Sequence, residues 1–579
     1  MKKLLYISIV AAASMAMTGC IEEVNPQSNV VTSDQAGNAP GSFNNFVDAL
    51  TSSITGVATY TGGVNYSPSL TDYPFDYGYC STFLMWDVMG QDIALTNSGY
   101  PYSAWAYCSV GLGPRYAIAQ IPITYYYGWI KNCNTVLGMV DENNVPENRR
   151  VGVGIAYVMR AMFYMDLARL YGETTYALDP QAPTAPIVTE KTTPTAGTVN
   201  PRATNEEMFG FILDDLDKAE TMLADYHRAD IYTPDVSVVN GLRARAYLTM
   251  EDWPNAEKYA KLAQAGYSMM SESEYTDRNT GFNTPTSSWM FGTRFKADDQ
   301  CIQENDADAS WGSLLSLEIA SQDLGGGGCG YASNYYGPMA IDYHLYQTIP
   351  STDFRKKCFI DFSIADTYNP VKDSAPEPTQ ATVEFASRYS DYPEFLANNS
   401  IGNNETGYTL GGACIKFRAA GGEEGRKNQY VGFLMSVPYM RVEEMKLIEA
   451  EAAGMQSEPR GIQLLTDFAK TRDPQYVYGT HNEAYGNSST TPFRNEVWWQ
   501  RRVELWGEGF ATYDIKRLNK GIIRSYEGTN HINLYQWNTD TPPQWMTLCF
   551  VGTEANYNTL LINNPTPVAP TGNSPMHVW

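Results

Sequence analysis

Apolar side chains recur every three or four residues in several stretches of the chain, which is the spacing of one face of an α-helix. The first such stretch comprises Ala156, Met159, Phe163, Leu167 and Leu170. Gly172 follows it at a position where a helix commonly ends. The pattern therefore predicts a long amphipathic helix that stops before Gly172.

A second stretch of helical spacing opens with a capping signal. Thr204 and Glu207 stand three residues apart, as in a capping box, where each side chain bonds the backbone N–H of the other residue. The apolar positions that follow are Met208, Ile212, Leu216 and Leu223. The preceding residues 179–203 are rich in Pro and Thr and predict a loop between the two helices.

Residues 241–267 predict a pair of antiparallel helices joined by a turn at Asp252–Pro254. The first helix carries Ala244, Ala246 and Leu248, and the second carries Ala256, Ala260 and Ala263. Small residues let two helices pack closely, which is the device of tetratricopeptide repeats. A generic helical hairpin packs in the same way but needs no further copies.

Residues 439–454 supply a further unit of this kind. Its apolar stripe comprises Val442, Met445, Ile448, Ala452 and Met455. Between the copies, residues 270–437 show little helical pattern and are rich in Gly, Asn, Tyr and Trp. We therefore expect a right-handed helical scaffold that carries a large, loop-rich insertion.

The stretch Trp498–Arg517 predicts a helix, a break at Gly507 and Gly509, and a second short helix. Trp498, Arg502, Leu505 and Gly509 fall on one face. Arg501 and Glu504 are three residues apart and can pair along the helix. We expect such charges chiefly to hold one helix against its neighbour.

Residues 46–112 are aromatic and Gly-rich with weak periodicity, which predicts an early helix followed by long ordered loops. The predicted fold is mainly α, a tetratricopeptide-like helical-hairpin scaffold with large loop-rich insertions. We place the scaffold at about 115–270 and 437–525 and the insertion at about 270–437. Residues 46–579 then form a single domain.

The composition is that of an acidic globular protein. The formal net charge is −24, which argues against a nucleic-acid partner and disfavours a polyanionic ligand, although a local basic patch remains compatible with it. Tyr (41) outnumbers Phe (21), and there are 12 Trp. Because Tyr and Trp carry a hydrogen-bonding group on a large ring, this excess favours a wet surface that stacks rings.

The first 19 residues predict a signal peptide. Lys2 and Lys3 precede the apolar run Leu4–Met17, and the run ends before Cys20 in a pattern that resembles a bacterial lipobox. Cys20 is therefore the predicted lipidation site, and residues 20–45, which are polar, predict a flexible tether. No later segment reads as a membrane-spanning helix.

Motifs of covalent chemistry are not evident. None of the five His lies in an HExxH arrangement, no GxSxG elbow occurs, and Gly325–Gly328 lacks the Lys of a P-loop. Asp306 and Asp308 only faintly resemble the start of a calcium loop. We predict no catalytic residue, no metal and no cofactor. Eight cysteines follow Cys20 without a CxxC motif, and they could form disulfides or stay as buried thiols.

The segment RRVELWGEGFATYDIKR resembles the C-terminal signature of the SusD/RagB family of Bacteroidetes surface lipoproteins. The matching residues are Arg501, Arg502, Glu504, Leu505, Glu508, Gly509, Tyr513, Asp514, Ile515, Lys516 and Arg517. Gln500, Ala511 and Thr512 depart from it. Three earlier stretches are also similar to the family, namely Arg160–Glu173, Ile212–Ala219 and Tyr439–Gly454. Glu22 and Glu23 look like the acidic export signal of such lipoproteins.

The resemblance implies a glycan-binding lipoprotein that is anchored by lipid to the outer membrane and exposed at the cell surface. It also implies a SusC-like TonB-dependent transporter as partner, an oligosaccharide as ligand, and no enzymatic activity. By location rather than by motif, we predict ligand contacts from two regions. They are Asp92, Tyr100, Tyr102 and Trp105 in the early loops, and Trp289, Trp311, Tyr335 and Tyr336 in the insertion.

Two other functions remain open from the sequence. A peptide receptor of the RagB kind would need a wide groove that satisfies an extended backbone. A surface glycoside hydrolase would need a pair of carboxylates about 5–10 Å apart in a deep cleft. The sequence singles out no such pair.

Overall fold

The computed structural model describes residues 41–55, 78–95, 102–107, 110–303, 311–319, 329–332, 339–365, 411–486, 489–568 and 574–579. The helices in these ranges are α1 (Ser42–Ser52), α2 (Gly78–Val88), α3 (Ser103–Tyr107), α4 (Ala117–Leu137), α5 (Arg150–Tyr171), α6 (Pro194–Gly197), α7 (Asn205–Leu223), α8 (Val236–Met250), α9 (Trp253–Ala263), α10 (Glu272–Tyr275), α11 (Gln300–Gln303), α12 (Trp311–Leu315), α13 (Tyr343–Thr348), α14 (Phe362–Ala365), α15 (Glu423–Lys427), α16 (Gln429–Gly432), α17 (Val442–Gln456), α18 (Glu458–Lys470), α19 (Pro492–Glu504), α20 (Ala511–Arg517) and α21 (Gly552–Tyr557). The strands are β1 (Ile93–Leu95), β2 (Trp289–Arg294), β3 (Met339–Ile341), β4 (Ser436–Arg441), β5 (Ile522–Ile523) and β6 (Asn538–Thr539).

The mainly α architecture predicted from the sequence is confirmed. Helix α5 packs against α4 and α7, α8 packs against α9, α9 against α17, and α17 against α18. Helices that follow one another in the chain thus lie side by side and bury their apolar faces against each other. The tetratricopeptide-like character of this scaffold stays a prediction.

Two predicted helix boundaries of the scaffold are confirmed, and a third differs because Trp253 and Pro254 already belong to α9. Helix α5 ends at Tyr171, directly before Gly172, and α7 begins with the capping box, in which the Thr204 and Glu207 side chains bond each other's backbone N–H. Glu251 adopts a left-handed conformation (φ 57°) between α8 and α9, and the Asp252 side chain caps α9. The predicted turn at Asp252–Pro254 therefore begins one residue earlier.

A close crossing of α17 and α18 depends on two glycines. A Cβ atom on Gly461 would lie 2.2 Å from the Cα of Gly454. Both positions need the smallest residue because the two helix backbones nearly touch here. This is the close approach that the small residues of the helical pairs predict.

Helix α2 occupies part of the region for which the sequence predicts loops. All eleven of its residues are buried, Gly78–Val88. A helix that is apolar all round shows no periodic stripe, so the pattern could not reveal it. The early helix expected near residue 46 is confirmed as α1, although α1 begins at Ser42 and so includes the last residues of the predicted tether.

Three antiparallel strand pairs fix the long connections. β1 pairs with β3 in the register Leu95↔Met339, β2 pairs with β4 in the register Trp289↔Arg441, and β5 pairs with β6. The β2–β4 ladder joins the two ends of the predicted insertion. It therefore holds the beginning and the end of that long segment against the scaffold.

Two other expectations can be compared with the structure. Of the described residues, Glu147–Tyr171 is long and apolar enough to cross a membrane, contrary to the expectation from the sequence, but most of it is buried inside the protein as a core helix. Buried thiols were one of the two fates expected for the cysteines. They are found at Cys80, Cys133, Cys358, Cys414 and Cys549.

Candidate functional site

The segment Trp498–Arg517 folds as its pattern predicts. Helix α19 ends at Glu504, helix α20 begins at Ala511, and Gly507 and Gly509 between them have positive φ values of 76° and 85°. A Cβ at Gly509 would also lie 2.9 Å from the ring of Phe83. Glycine is required at this break for both its conformation and its size.

The end of α19 is the centre of a buried ion network. Its members are Glu443, Glu504, Glu508, Arg355, Arg441, Arg472 and Lys416, and none has more than 7% of its surface exposed. Glu504 accepts hydrogen bonds from Arg441 (3.1 Å) and Arg472 (3.2 Å). Arg441 (2.8 Å) and Lys416 (2.6 Å) bond Glu508. Every carboxylate in the network faces at least two cations.

The cations of the network keep its carboxylates charged. Burial acts to raise the pKa of Glu504, but the charges of Arg472 and Arg441 outweigh it and hold the pKa below its usual range. The same balance lowers the pKa of Glu508. Such carboxylates make poor general acids, because they do not carry a proton near neutral pH.

Arg501 does not pair with Glu504 as the sequence predicts. Its Nε donates to Asp514 on α20 at 2.7 Å, and Arg517 donates to the same carboxylate at 2.7 Å. Tertiary packing prevails over the spacing along the helix because Glu504 is already occupied by other guanidinium groups. The prediction that these charges hold neighbouring helices together is consistent with both contacts.

Asp92, one of the predicted ligand contacts, is tied into the same region. Its carboxylate accepts hydrogen bonds from Arg502 Nε at 3.0 Å and Nη2 at 2.6 Å, and only 5% of the residue is exposed. Burial raises the pKa of Asp92, and Arg502 opposes that effect. Asp92 thus has a structural partner in this state, and its role in ligand binding stays a prediction.

The other described ring candidates are buried. Tyr102, Trp105, Trp289 and Trp311 each have 1% or less of their surface exposed. Ligand contacts were expected to be exposed, and for these rings that expectation is wrong because they pack in the core. Trp311, for example, lies edge-on to Phe417 at 4.8 Å between ring centres. Their contribution to ligand binding remains a prediction that burial disfavours.

Four predicted residues lie outside the described ranges, Cys20, Tyr100, Tyr335 and Tyr336. Asp306 and Asp308 lie outside them too. Tyr100 follows Leu95 in the sequence, and Tyr335 and Tyr336 precede Met339. Since Leu95 and Met339 are partners in the β1–β3 ladder, the two ring-bearing segments join the scaffold at the same place.

One pair of buried carboxylates invites comparison with a hydrolase. Asp87 and Asp92 line a cavity of about 20 Å³. Burial raises the pKa of Asp87 to about 7, although the carboxylate accepts hydrogen bonds from the N–H groups of Gly509 (2.9 Å) and Ala511 (3.0 Å). The cavity has room for a water molecule but not for a sugar ring. Among the described residues, no group of three His, Cys, Asp or Glu is arranged to hold a metal ion.

The structure contains open clefts that the sequence did not indicate. The larger, with a volume of about 420 Å³, is termed here the outer cleft; its lining includes Glu173, Thr174, Thr175, Lys516, Asn519, Thr541, Pro542, Pro543 and Gln544. Another, of about 310 Å³, lies between α1 and β2. The walls of the outer cleft come from segments that lie far apart in the chain, so no local sequence pattern predicts it.

Family models match most of the chain. Residues 101–248 match a model described as "Starch-binding associating with outer membrane", and residues 300–561 match one described as "SusD family". The sequence matches none of the curated proteins.

Solved structures share the whole fold. A SusD-like carbohydrate binding protein from Bacteroides vulgatus is 21% identical, with a TM-score of 0.63 over 90% of this chain and 97% of that one. Surface glycan-binding protein A from Bacteroides thetaiotaomicron is 14% identical, with a TM-score of 0.61 over 91% and 98% of the two chains. At these identities the similarity establishes the fold.

Proposed function

The chain belongs to the SusD family, and we propose on that premise that it captures oligosaccharides at the cell surface. The match of two SusD-family models across most of the chain carries the proposal. Members of this family are binding proteins rather than enzymes. The bound glycan then passes to a SusC-like TonB-dependent transporter in the outer membrane, to which this protein is held by lipid on Cys20.

The charged interior supports binding rather than catalysis. Glu504 and Glu508 of the ion network are ionised and enclosed by cations, and the cavity shared by Asp87 and Asp92 is too small for a sugar ring. Such groups have no access to a glycosidic bond. A rigid scaffold that presents a binding surface is the role that this arrangement favours.

The proposed glycan site combines the rings of the two segments that meet at the β1–β3 ladder. Tyr100 comes from one segment and Tyr335 and Tyr336 from the other, with Asp92 three residues before Leu95. Phenol rings stack on the apolar faces of sugars while their hydroxyls form hydrogen bonds.

Calorimetric titration of the mature protein with a panel of glycans and peptides tests this function. We expect binding of at least one oligosaccharide without turnover. Tyr100→Ala and the double variant Tyr335→Ala/Tyr336→Ala should each weaken it at least tenfold, which is about 1.4 kcal/mol. Tyr557→Ala, which removes a ring that is 53% exposed at α21, is the matched control and should leave the affinity unchanged.

The buried rings provide the opposing measurement. Trp105→Ala and Trp311→Ala should lower the free energy of unfolding by about 3–5 kcal/mol, since each creates a cavity in the core. Urea denaturation measures the loss. If a buried-ring variant keeps its stability but loses the glycan, while the Tyr variants bind normally, the proposed site is wrong. Binding of peptides alone would replace the glycan function by the peptide-receptor alternative.

Localisation can be tested separately. Cys20→Ala should release the protein from the outer-membrane fraction, because a lipid anchor acts only through its acyl chains. The wild-type protein should co-purify with a TonB-dependent transporter from membranes dissolved in detergent. Recovery of Cys20→Ala in the same membrane fraction as the wild type would contradict the anchor.

A further inference from the structure

Next to the outer cleft lies a small chamber, here named the basic chamber because most of its charged lining residues are basic. Its charged lining consists of Arg169, Arg245, Arg501, Lys516 and Arg517 on the positive side and Glu444 and Asp514 on the negative side. The whole chain, in contrast, has a formal net charge of −24. Arg169 pairs with Asp166, Arg245 with Glu444, Arg501 with Asp514 and Arg517 with Glu451, so among the described residues Lys516 is the lining cation that no carboxylate neutralises. A cation without a counter-ion favours the binding of an anion.

Two donors in the walls are left without an acceptor. Arg501 is 3% exposed and uses its Nε on Asp514, but its Nη1 is buried and donates no hydrogen bond within the described part of the chain. Nε of Arg169 is likewise buried and donates no hydrogen bond to the described residues. Since buried donors are normally paired, these two guanidinium groups of the chamber lining would be stabilised by an acceptor that enters the chamber.

Lys516 adds a cation without a counter-ion. Its Nζ donates to the carbonyl oxygens of Arg169 (2.7 Å) and Gly172 (2.9 Å), and it forms no ion pair with any described carboxylate. Burial lowers the pKa of Lys516 to about 7, and the charge of Arg202 acts in the same direction. An anion beside Lys516 would offset this electrostatic cost.

The dimensions limit what can bind. The basic chamber has a volume of about 30 Å³, enough for one or two groups of the size of water and hence for the two oxygens of a carboxylate. It shares Thr174, Thr175 and Lys516 with the outer cleft. The outer cleft, at about 420 Å³, is within the range of small-molecule sites, and Asn519 and Gln544 can bond hydroxyl groups there.

We propose that the outer cleft and the basic chamber together bind a saccharide unit that carries a carboxylate, such as a uronic acid. The carboxylate enters the chamber and accepts hydrogen bonds from Arg501 and Arg169 beside Lys516, while the sugar ring stays in the cleft. That the ligand is a saccharide rests on the proposed function. That it carries a carboxylate rests on the charges of the chamber alone.

Calorimetric titration with galacturonate, glucuronate, neutral galactose and acetate tests the site. We expect the wild type to bind a uronate at least tenfold more tightly than galactose and more tightly than acetate. Lys516→Met, which keeps the length of the side chain but removes its charge, should weaken uronate binding at least tenfold. Thr541→Trp, on the exposed rim of the cleft, should also weaken it without changing any buried charge.

Lys520→Met is the matched control for the loss of a buried lysine. The pKa of Lys520 is likewise lowered to about 7 by burial, but its Nζ bonds Ala484 and Asn495, and it does not line the chamber. Its uronate affinity should equal that of the wild type. Equal affinity for uronate in wild type, Lys516→Met and Thr541→Trp would overturn the proposal.

The two sites can fail independently. Uronate binding without binding of any neutral glycan would contradict the site at the β1–β3 ladder and leave the carboxylate site standing. Binding of neutral glycans with no preference for uronate over galactose would contradict the carboxylate site and leave the site at the β1–β3 ladder standing. Acetate that binds as tightly as uronate would overturn the saccharide part of the proposal, because the outer cleft would then contribute nothing.

Discussion

The two helices of the segment Trp498–Arg517 each contain a charged residue, and the two residues differ in whether opposite charges surround them. Glu504, at the end of α19, is surrounded by the guanidinium groups of Arg441, Arg472 and Arg355. Lys516, on α20, donates to two backbone carbonyl groups and forms no ion pair with a carboxylate of the described residues. Glu504 is buried and Lys516 half-buried, and both belong to the stretch that resembles the family signature.

The difference shows how a structural charge can be told from a candidate binding charge. In the ion network, the unmet hydrogen-bonding capacity of each charged group is small, so no further molecule is needed. In the basic chamber, the charge of Lys516 and the unpaired donors of Arg501 and Arg169 leave a requirement that the described residues do not meet. Whether a charged group already has partners of opposite charge, rather than its residue type, distinguishes a structural role from a binding role.

The largest effect should come from Glu504→Gln. The amide cannot balance the charges of Arg355, Arg441 and Arg472, and loss of one partner from a buried ion network destabilises a protein by about 3–5 kcal/mol. Urea denaturation with an unchanged m-value would measure it. Glu147→Gln, at an exposed ion pair with Arg150, is the control and should have no measurable effect. Equal stability of the two variants would contradict the structural role of the ion network.

A smaller, pH-dependent effect is expected at Glu451. Burial acts to raise its pKa, but Arg517 and Arg494 outweigh burial and lower the value to about 2 from 4.5. A carboxyl group with a depressed pKa in the folded state stabilises it above pH 4.5, by about 3 kcal/mol here, and loses that contribution as pH falls toward 2. The stability gap between wild type and Glu451→Gln should therefore narrow below pH 4.5. A gap that does not vary with pH would contradict this.

The smallest effect should follow Lys516→Met. At pH 7 the free energy of unfolding should change by no more than about 1 kcal/mol, because the loss of two hydrogen bonds is offset by removal of an uncompensated charge. The pKa of Lys516 falls from 10.5 to about 7 on folding, so its contribution is greatest above pH 10.5 and declines as pH falls to 7. As pH falls from 10.5 to 7, the free energy of unfolding of the Met variant should therefore increase relative to that of the wild type. A loss as large as that in Glu504→Gln would place Lys516 among the structural charges.

Local pattern predicted the fold where a helix has one buried face. Helix α7 shows both its capping box and its stripe in the sequence, whereas α2 is buried on all sides and leaves no stripe. The β2–β4 ladder was also beyond prediction, because its strands lie more than 140 residues apart in the sequence. Period and capping are local properties, and strand pairing at such a distance is not.

The candidate site was harder to predict for a related reason. Trp311 and Trp289 stand in Gly-rich sequence that suits a surface loop, yet both are buried. A large ring with one polar atom fits an interior or a wet surface equally well, so composition cannot decide between them. The basic chamber draws Arg169, Arg245, Arg501 and Lys516 from four helices, and its charge emerges only when these helices pack together.

The antiparallel pairing of β2 with β4 has a consequence for how proteins of this architecture diversify. The chain leaves the scaffold at Arg294 and returns at Ser436, directly opposite in the ladder. A change in the length of a surface loop within the intervening segment then alters little besides closure entropy, about 0.6 kcal/mol for each doubling, as long as the buried Trp311, Arg355 and Lys416 of that segment keep their contacts. Natural selection, or a designer of chimeras, can thus vary the surface loops of this segment for new nutrients while its buried residues and the helices keep their sequence.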